Sequence, residues 1–272
     1  MKYYIKSRSN LLLNEVVVSM KTEKAVMKND RGVSEIIGVI LIFGILVLFL
    51  GILQSMSVPQ WNKQIEAAHF NTIYDDVLDM RQIIQETAIF NLSRTAVIHA
   101  SLDYPTRMFL YNPLKPGMTI SLMKDKQIQI YNGTYLPRLD SCTIRIRENY
   151  NYFLAPELII EHGMIIGSEG DHPYLIDGPP MNNKTMDLYL VDCSDNSIGT
   201  TSSMNIQFIP VKSDVPVNNV SNIAFNTSYP KNWIAYLNSI NIDSTGSNED
   251  TGEIYMNFNN ITLRLFITNI KI

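Results

Sequence analysis

Four histidines, His69, His99, His162 and His172, are the chain's only imidazoles, and two of them directly follow an acid, as Glu161-His162 and Asp171-His172. Such mixed nitrogen and oxygen donors are what a metal centre would use. Adjacent residues on a strand point to opposite faces, however, so neither pair chelates as a unit, and loop or surface histidines with no metal are expected. Residues 243–250, DSTGSNED, are rich in oxygen ligands but lack the spacing of a calcium loop and read as a solvated acidic loop. A hydrolase needs a nucleophile beside its base. No G-x-S-x-G, H-E-x-x-H, Walker A or dinucleotide fingerprint occurs, so no catalytic residue and no cofactor is nominated and the chain reads as a non-enzyme. Cys142 and Cys193 are too few for a disulfide scaffold or a structural zinc site; they form either one bridge or two buried thiols.

With so little chemistry in motifs, composition carries more of the reading. The 272 residues are 46% hydrophobic and 18% charged, a globular balance. The net charge of −4 conceals an asymmetry. Residues 1–32 hold seven basic groups against three acidic ones, a net of +4, while the remaining residues hold 15 basic and 23 acidic, a net of −8. An acidic body repels phosphate backbones, which argues against nucleic-acid binding.

The charge break coincides with an apolar run of 18 residues, Ile36 to Leu53, IIGVILIFGILVLFLGIL. At ~1.5 Å per residue a helix of that length is about 27 Å long, close to the ~30 Å hydrocarbon core of a bilayer. The basic residues before it place the N-terminus in the cytoplasm and the bulk of the chain outside. A secretory signal peptide would end in small residues of the A-x-A kind, which Leu53-Gln54-Ser55-Met56-Ser57 does not offer. Glu35 lies just ahead of the run, where a carboxylate is costly unless paired. Cleavage after Gly32 would create a partner, the new α-amino group of Val33. Gly38, Gly44 and Gly51, with Ser34 four residues before the first, form a stripe of small residues that would let helices approach closely.

The segment KNDRG followed by VSEIIGVILIFGIL resembles the class III signal peptide of archaeal type IV pilins and pilin-like surface proteins. The resemblance covers about twenty residues. It implies that a prepilin peptidase cuts on the cytoplasmic side and leaves the apolar stretch on the mature protein. Gly32 then precedes the scissile bond, Val33 becomes the mature N-terminus, and Glu35 is the nearby acid. Starting at Met27 would leave the compact leader MKNDRG. Asp103-Tyr104-Pro105-Thr106-Arg107 leading to Tyr111-Asn112-Pro113, Asp177-Gly178, and Thr262-Leu263-Arg264 are similar to segments of archaeal surface proteins carrying the same N-terminal motif.

Beyond Pro59 the pattern becomes amphipathic: Trp61, Ile65, Ala68, Thr72, Ile73, Val77, Met80, Ile83, Ile84 and Thr87 follow steps of three and four, with Lys63, Glu66, Asp75, Asp79, Gln82, Gln85 and Glu86 on the other face. One long helix is expected, bent or interrupted near Pro59, its lower stripe packed on the following domain. After about Phe90, alternation with period two predicts strands at 95–102, 108–112, 119–123, 127–131, 143–147, 186–191, 205–211, 254–258 and 261–270. A hairpin is expected at Lys124-Asp125-Lys126, a turn at Asn132-Gly133, and a short helix at Pro230 to Leu237.

The expected organisation is a charged cytoplasmic leader (1–32), a hydrophobic then amphipathic helical stem (33–90), and an extracellular β-rich head (91–272). The fold class is α+β, a long N-terminal hydrophobic helix followed by a mainly antiparallel β-sandwich-like head. Six sequons, at Asn91, Asn132, Asn183, Asn219, Asn226 and Asn260, all follow the apolar run, where glycosylation is topologically possible. The expected function is a structural pilin-like surface protein, an adhesive subunit if it assembles. Its expected partners are the membrane, prepilin peptidase and other pilins through the N-terminal helix. An uncleaved, single-pass anchored binding module is the alternative, and a cell-surface enzyme is the third class.

Overall fold

The computed structural model describes residues 35–181, 185–242, 244–248 and 252–272. Gly32, Val33, Ser34, Asn183 and the leader 1–32 lie outside the described residues. The chain is α+β: a helix from Glu35 to Phe90 followed by an eleven-stranded, mainly antiparallel sheet. The first part of the helix falls in one compact unit with Arg107–Tyr111, while residues from Gln60 onward, apart from that segment, make the other.

In the first unit, residues 35–52 form helix α1, and Leu53–Ser57 continue it as one π-helical stretch. Pro59 explains the widening. A proline inside a helix removes one backbone donor and crowds the carbonyl four residues back. The wider turn lets the Val58 amide donate to the Leu53 carbonyl, five residues away. The interruption expected near Pro59 is therefore a local π turn, and helix α2 (Val58–Phe90) carries on through the proline.

The second unit holds the rest of α2 and the sheet. Ile73, Val77, Met80 and Ile84 of α2 are buried in one apolar core with residues of β1 (Arg94–Ile98), β2 (Gly117–Tyr131), β3 (Leu139–Asn149), β4 (Glu157–Glu161) and β5 (Met164–Glu169). The lower stripe thus packs on the head, as its spacing implies. A second core gathers around α3 (Pro230–Ser239), whose Trp233 and Leu237, four residues apart, point inward; proline opens this helix, as the sequence predicts.

The two cores share strands. In β4, Leu158 and Ile160 face the first core and Ile159 the second; in β5, Ile165 faces the first and Met164 and Ile166 the second. Opposite faces of a strand alternate, so this hairpin is buried on both sides. β6 (His172–Asp177) pairs with β5 and ends the sheet. β7 (Thr185–Asp192) runs parallel to β11 (Glu253–Lys271), the one parallel ladder in the described sheet. β8 (Asn196–Thr200) pairs with the first half of β2, and β10 (Ser244–Asn248) with the start of β11.

Three expectations change. Lys124–Lys126 is not a hairpin: β2 runs straight through it with an irregularity in register between Met123 and Lys126, and after it exchanges β8 for β9 (Met204–Asn226) as its neighbour. A bulge of this kind bends a strand without ending it. Residues 108–112 form no strand; Arg107–Leu110 is a tight turn closed by a bond from the Leu110 amide to the Arg107 carbonyl, 3.3 Å. Residues 244–248 of the expected acidic loop are the backbone of β10. The turn at Asn132-Gly133 is present, with Gly133 at φ +95°.

Candidate functional site

Every side chain from Glu35 to Phe49 is exposed, although nearly all are apolar. Kept in water, this stretch of Ile, Leu, Val and Phe would forfeit roughly 1.5–3 kcal/mol per large side chain relative to burial. Its 18-residue window is fully unburied within the chain and apolar enough to cross a bilayer, so the helix is a candidate membrane anchor. A Cβ added at Gly38, Gly44 or Gly51 would meet nothing within 4 Å. No packing among the described residues requires a small residue at those positions.

The head holds its charges differently. Glu66, on α2, is wholly buried. Its carboxylate accepts the Tyr104 hydroxyl and the backbone amides of Asn151 (3.0 Å), Tyr152 (2.9 Å) and Phe153 (2.6 Å). This corrects its expected place on the outer face of α2. A carboxylate given several amide donors is held inside because each donor also needs an acceptor. Burial, with the bond to Glu66, pushes the Tyr104 phenol well above its ordinary range. Stepping back from Ile73 by seven and eleven residues lands on Glu66 and Asn62, both buried, so the inward stripe continues through polar residues rather than through Ile65 and Trp61.

Two histidines line the same end of α2. His69 Nε2 donates to the His99 carbonyl at 2.8 Å, which leaves Nδ1 to accept the Tyr150 hydroxyl at 2.6 Å; burial lowers the His69 pKa. His99 reaches Asp76 through its backbone amide (2.8 Å) and Nδ1 (3.0 Å).

A second polar centre lies beneath β2. Lys126 Nζ contacts Asp125 at 2.8 Å, the Ser228 hydroxyl at 2.8 Å and the fully buried Glu161 at 3.7 Å. The Thr227 hydroxyl and the Ser228 amide (3.3 Å) donate to Glu161, and Thr143 to Asp125 (2.8 Å). One ammonium faces two carboxylates, and the hydroxyls and amide of neighbouring segments supply the remaining donors, an arrangement suited to fixing strand register. His162, next in sequence, points away into the second core against Phe225 and Trp233, where burial lowers its pKa. Glu161 and His162 therefore do not converge, and His172 lies on exposed β6. Among the described residues no three His, Cys, Asp or Glu side chains gather as a metal-binding group.

One open cleft, of about 440 Å³, carries a perturbed acid. Glu148 lines it beside Tyr150 and Phe153, and burial pushes its carboxyl up to about 8; its Oε1 finds no hydrogen-bond partner in the chain. Sequence reasoning passed over Glu148 because a lone acid at a strand end carries no motif.

Cys142 and Cys193 are joined, with sulfurs 2.09 Å apart, which settles the choice between one bridge and two thiols. Asn91, Asn219 and Asn260 are exposed, each at positive φ, a conformation asparagine tolerates. Asn132 is half-buried at its turn. Asn226 is tied internally: its Oδ1 accepts the Gln127 amide at 2.5 Å, its Nδ2 donates to the Asp125 carbonyl at 3.2 Å, and the threonine of its sequon is buried on Glu161. In the folded head both polar atoms of its half-buried side-chain amide are thus engaged.

No protein-family model matches the chain, and no solved structure matches it. It is similar to an uncharacterized protein of Archaeoglobus fulgidus, 30% identical over 192 residues, an alignment covering 67% of this chain and 33% of the relative. The chain therefore spans about a third of that relative's length.

Proposed function

We propose that the chain is a structural, pilin-like cell-surface protein. A prepilin peptidase would cut it after Gly32, and the apolar helix would remain to anchor or assemble it, with the β-rich head outside the cell. The observation that carries this reading is an apolar helix left exposed by the described residues, notched by glycines whose small size none of those residues requires. Lipid satisfies such a surface in a monomer; neighbouring helices packed along the Gly38, Gly44 and Gly51 stripe satisfy it in a filament. Glu35 would then pair with the Val33 amine of its own or an adjacent subunit. Adhesion and glycosylation at the exposed asparagines belong to this proposal.

Mass spectrometry of the mature N-terminus tests it. A chain beginning at Val33 is expected; an intact leader on the mature protein overturns processing. In that event the uncleaved anchored binding module becomes the reading, and the Glu148 cleft, with Tyr150 and Phe153 on its wall, is the feature that favours it.

A further inference from the structure

The turn Arg107–Leu110 is out of character for a soluble surface. Met108, Phe109 and Tyr111 are 82%, 76% and 82% exposed, three large apolar or aromatic side chains within four residues. Phe109 also sits at φ +64°, a turn position that glycine or asparagine fills at far lower steric cost. A bulky aromatic kept in a strained conformation and turned outward calls for a reason outside the chain.

The turn's location supplies one. Gln54 is the first polar residue after the apolar run, and its side-chain amide grips the Tyr111 backbone in both directions. Gln54 Oε1 accepts the Tyr111 amide at 2.8 Å, and Gln54 Nε2 donates to the Tyr111 carbonyl at 2.8 Å. Those two bonds hold the turn against the helix at the level where the apolar run stops. We propose that Met108, Phe109 and Tyr111 form a second membrane contact, an apolar finger entering the boundary between headgroups and acyl chains beside the end of the span. This rests on the reading of α1 as a lipid-embedded helix. Aromatic residues with one polar atom, such as Tyr111, suit that boundary, and the paired amide bonds occupy backbone groups that would otherwise be costly to bring there. The finger fixes the depth of the span: a helix held only by its own apolar run slides and tilts, whereas one with a clamped lateral wedge does not.

Depth measurement by spin labelling tests the finger on the full chain. Phe109→Cys, Ile45→Cys and Tyr135→Cys replace exposed side chains, so folding is preserved, and each takes a nitroxide while Cys142 and Cys193 remain bonded to each other. In vesicles of phosphatidylcholine with phosphatidylglycerol, collisions with dissolved oxygen report lipid and collisions with a water-soluble nickel chelate report solvent. The labels at 45 and 109 are expected to favour oxygen severalfold over the label at 135. A lipid signal at 45 with an aqueous signal at 109 overturns the finger and leaves the anchor standing. Low collision with both reagents at 109 overturns it in favour of a protein neighbour on the turn. An aqueous signal at 45 overturns the anchor and the finger together.

Discussion

Helix α1 and the polar centres of the head face opposite problems. In α1 the apolar side chains from Ile36 to Phe49 all stand exposed, and none of the described residues covers them. In the head two carboxylates, Glu66 and Glu161, are withdrawn from water, and the chain supplies each with donors from distant segments. Glu66 and Glu161 are answered from within the head, whereas Glu148 keeps a buried oxygen with no hydrogen-bond partner among the described residues. Under the proposed function, helix α1 is half of an interaction whose other half would be lipid or another helix. Substitutions should therefore divide sharply: those in the head should change stability, and those along α1 should change association.

The largest effect is expected at Glu66. Glu66→Ala strands three backbone amides and the Tyr104 hydroxyl, and should cost about 4 kcal/mol or more in urea denaturation followed by tryptophan fluorescence. A loss under about 1 kcal/mol would show that the head is not organised around this carboxylate. Glu148 comes next and gives the comparison a pH axis. Its pKa is about 8 when folded against an ordinary 4.5. Below pH 4.5 both states are protonated and its contribution to stability is fully present. As pH rises toward 8 the unfolded chain releases this proton first, so stability falls, and above 8 the loss is complete. Glu148→Gln should remove that dependence and gain about 2–3 kcal/mol at pH 9 with little change at pH 4. Equal pH profiles for the two proteins would rule out a buried acid there.

The smallest stability effect is expected in α1. Replacing Gly38, Gly44 and Gly51 with leucine should leave head unfolding within about 0.5 kcal/mol of the parent, because a Cβ at each position meets no described atom within 4 Å. Crosslinking between copies in membranes should fall in the same variant. Unchanged crosslinking would mean that helices do not pack along this stripe, and the contrast would reduce to a simple lipid anchor.

Much of this architecture is visible in local pattern alone. The apolar run needs no context to read as a span, since its length and lack of charge are properties of the segment itself. Helix α3 announces itself through Pro230 and the spacing of Trp233 and Leu237. The β4–β5 hairpin escaped because strands buried on both faces lose the alternation that marks a strand. ELIIEHGMIIG reads as an undivided apolar patch until Leu158 and Ile159 are seen to face different cores. The break expected at Lys124–Lys126 failed for a related reason. A cluster of charges commonly marks a solvated turn, but Lys126 is answered by Glu161 and Ser228 from far along the chain.

What the amino-acid order determined by itself was the placement of greasy and polar stretches: an apolar run without charge from Ile36 to Leu53, a stripe below it, and a series of alternating segments. What only the tertiary structure decided was which polar groups go inside. Glu66 is an ordinary surface acid by its neighbours in sequence and a buried acceptor only because Asn151, Tyr152 and Phe153, more than eighty residues away, turn their amides toward it. Burying apolar area depends on composition and local period, whereas burying a charge depends on donors whose positions exist only once the chain has folded.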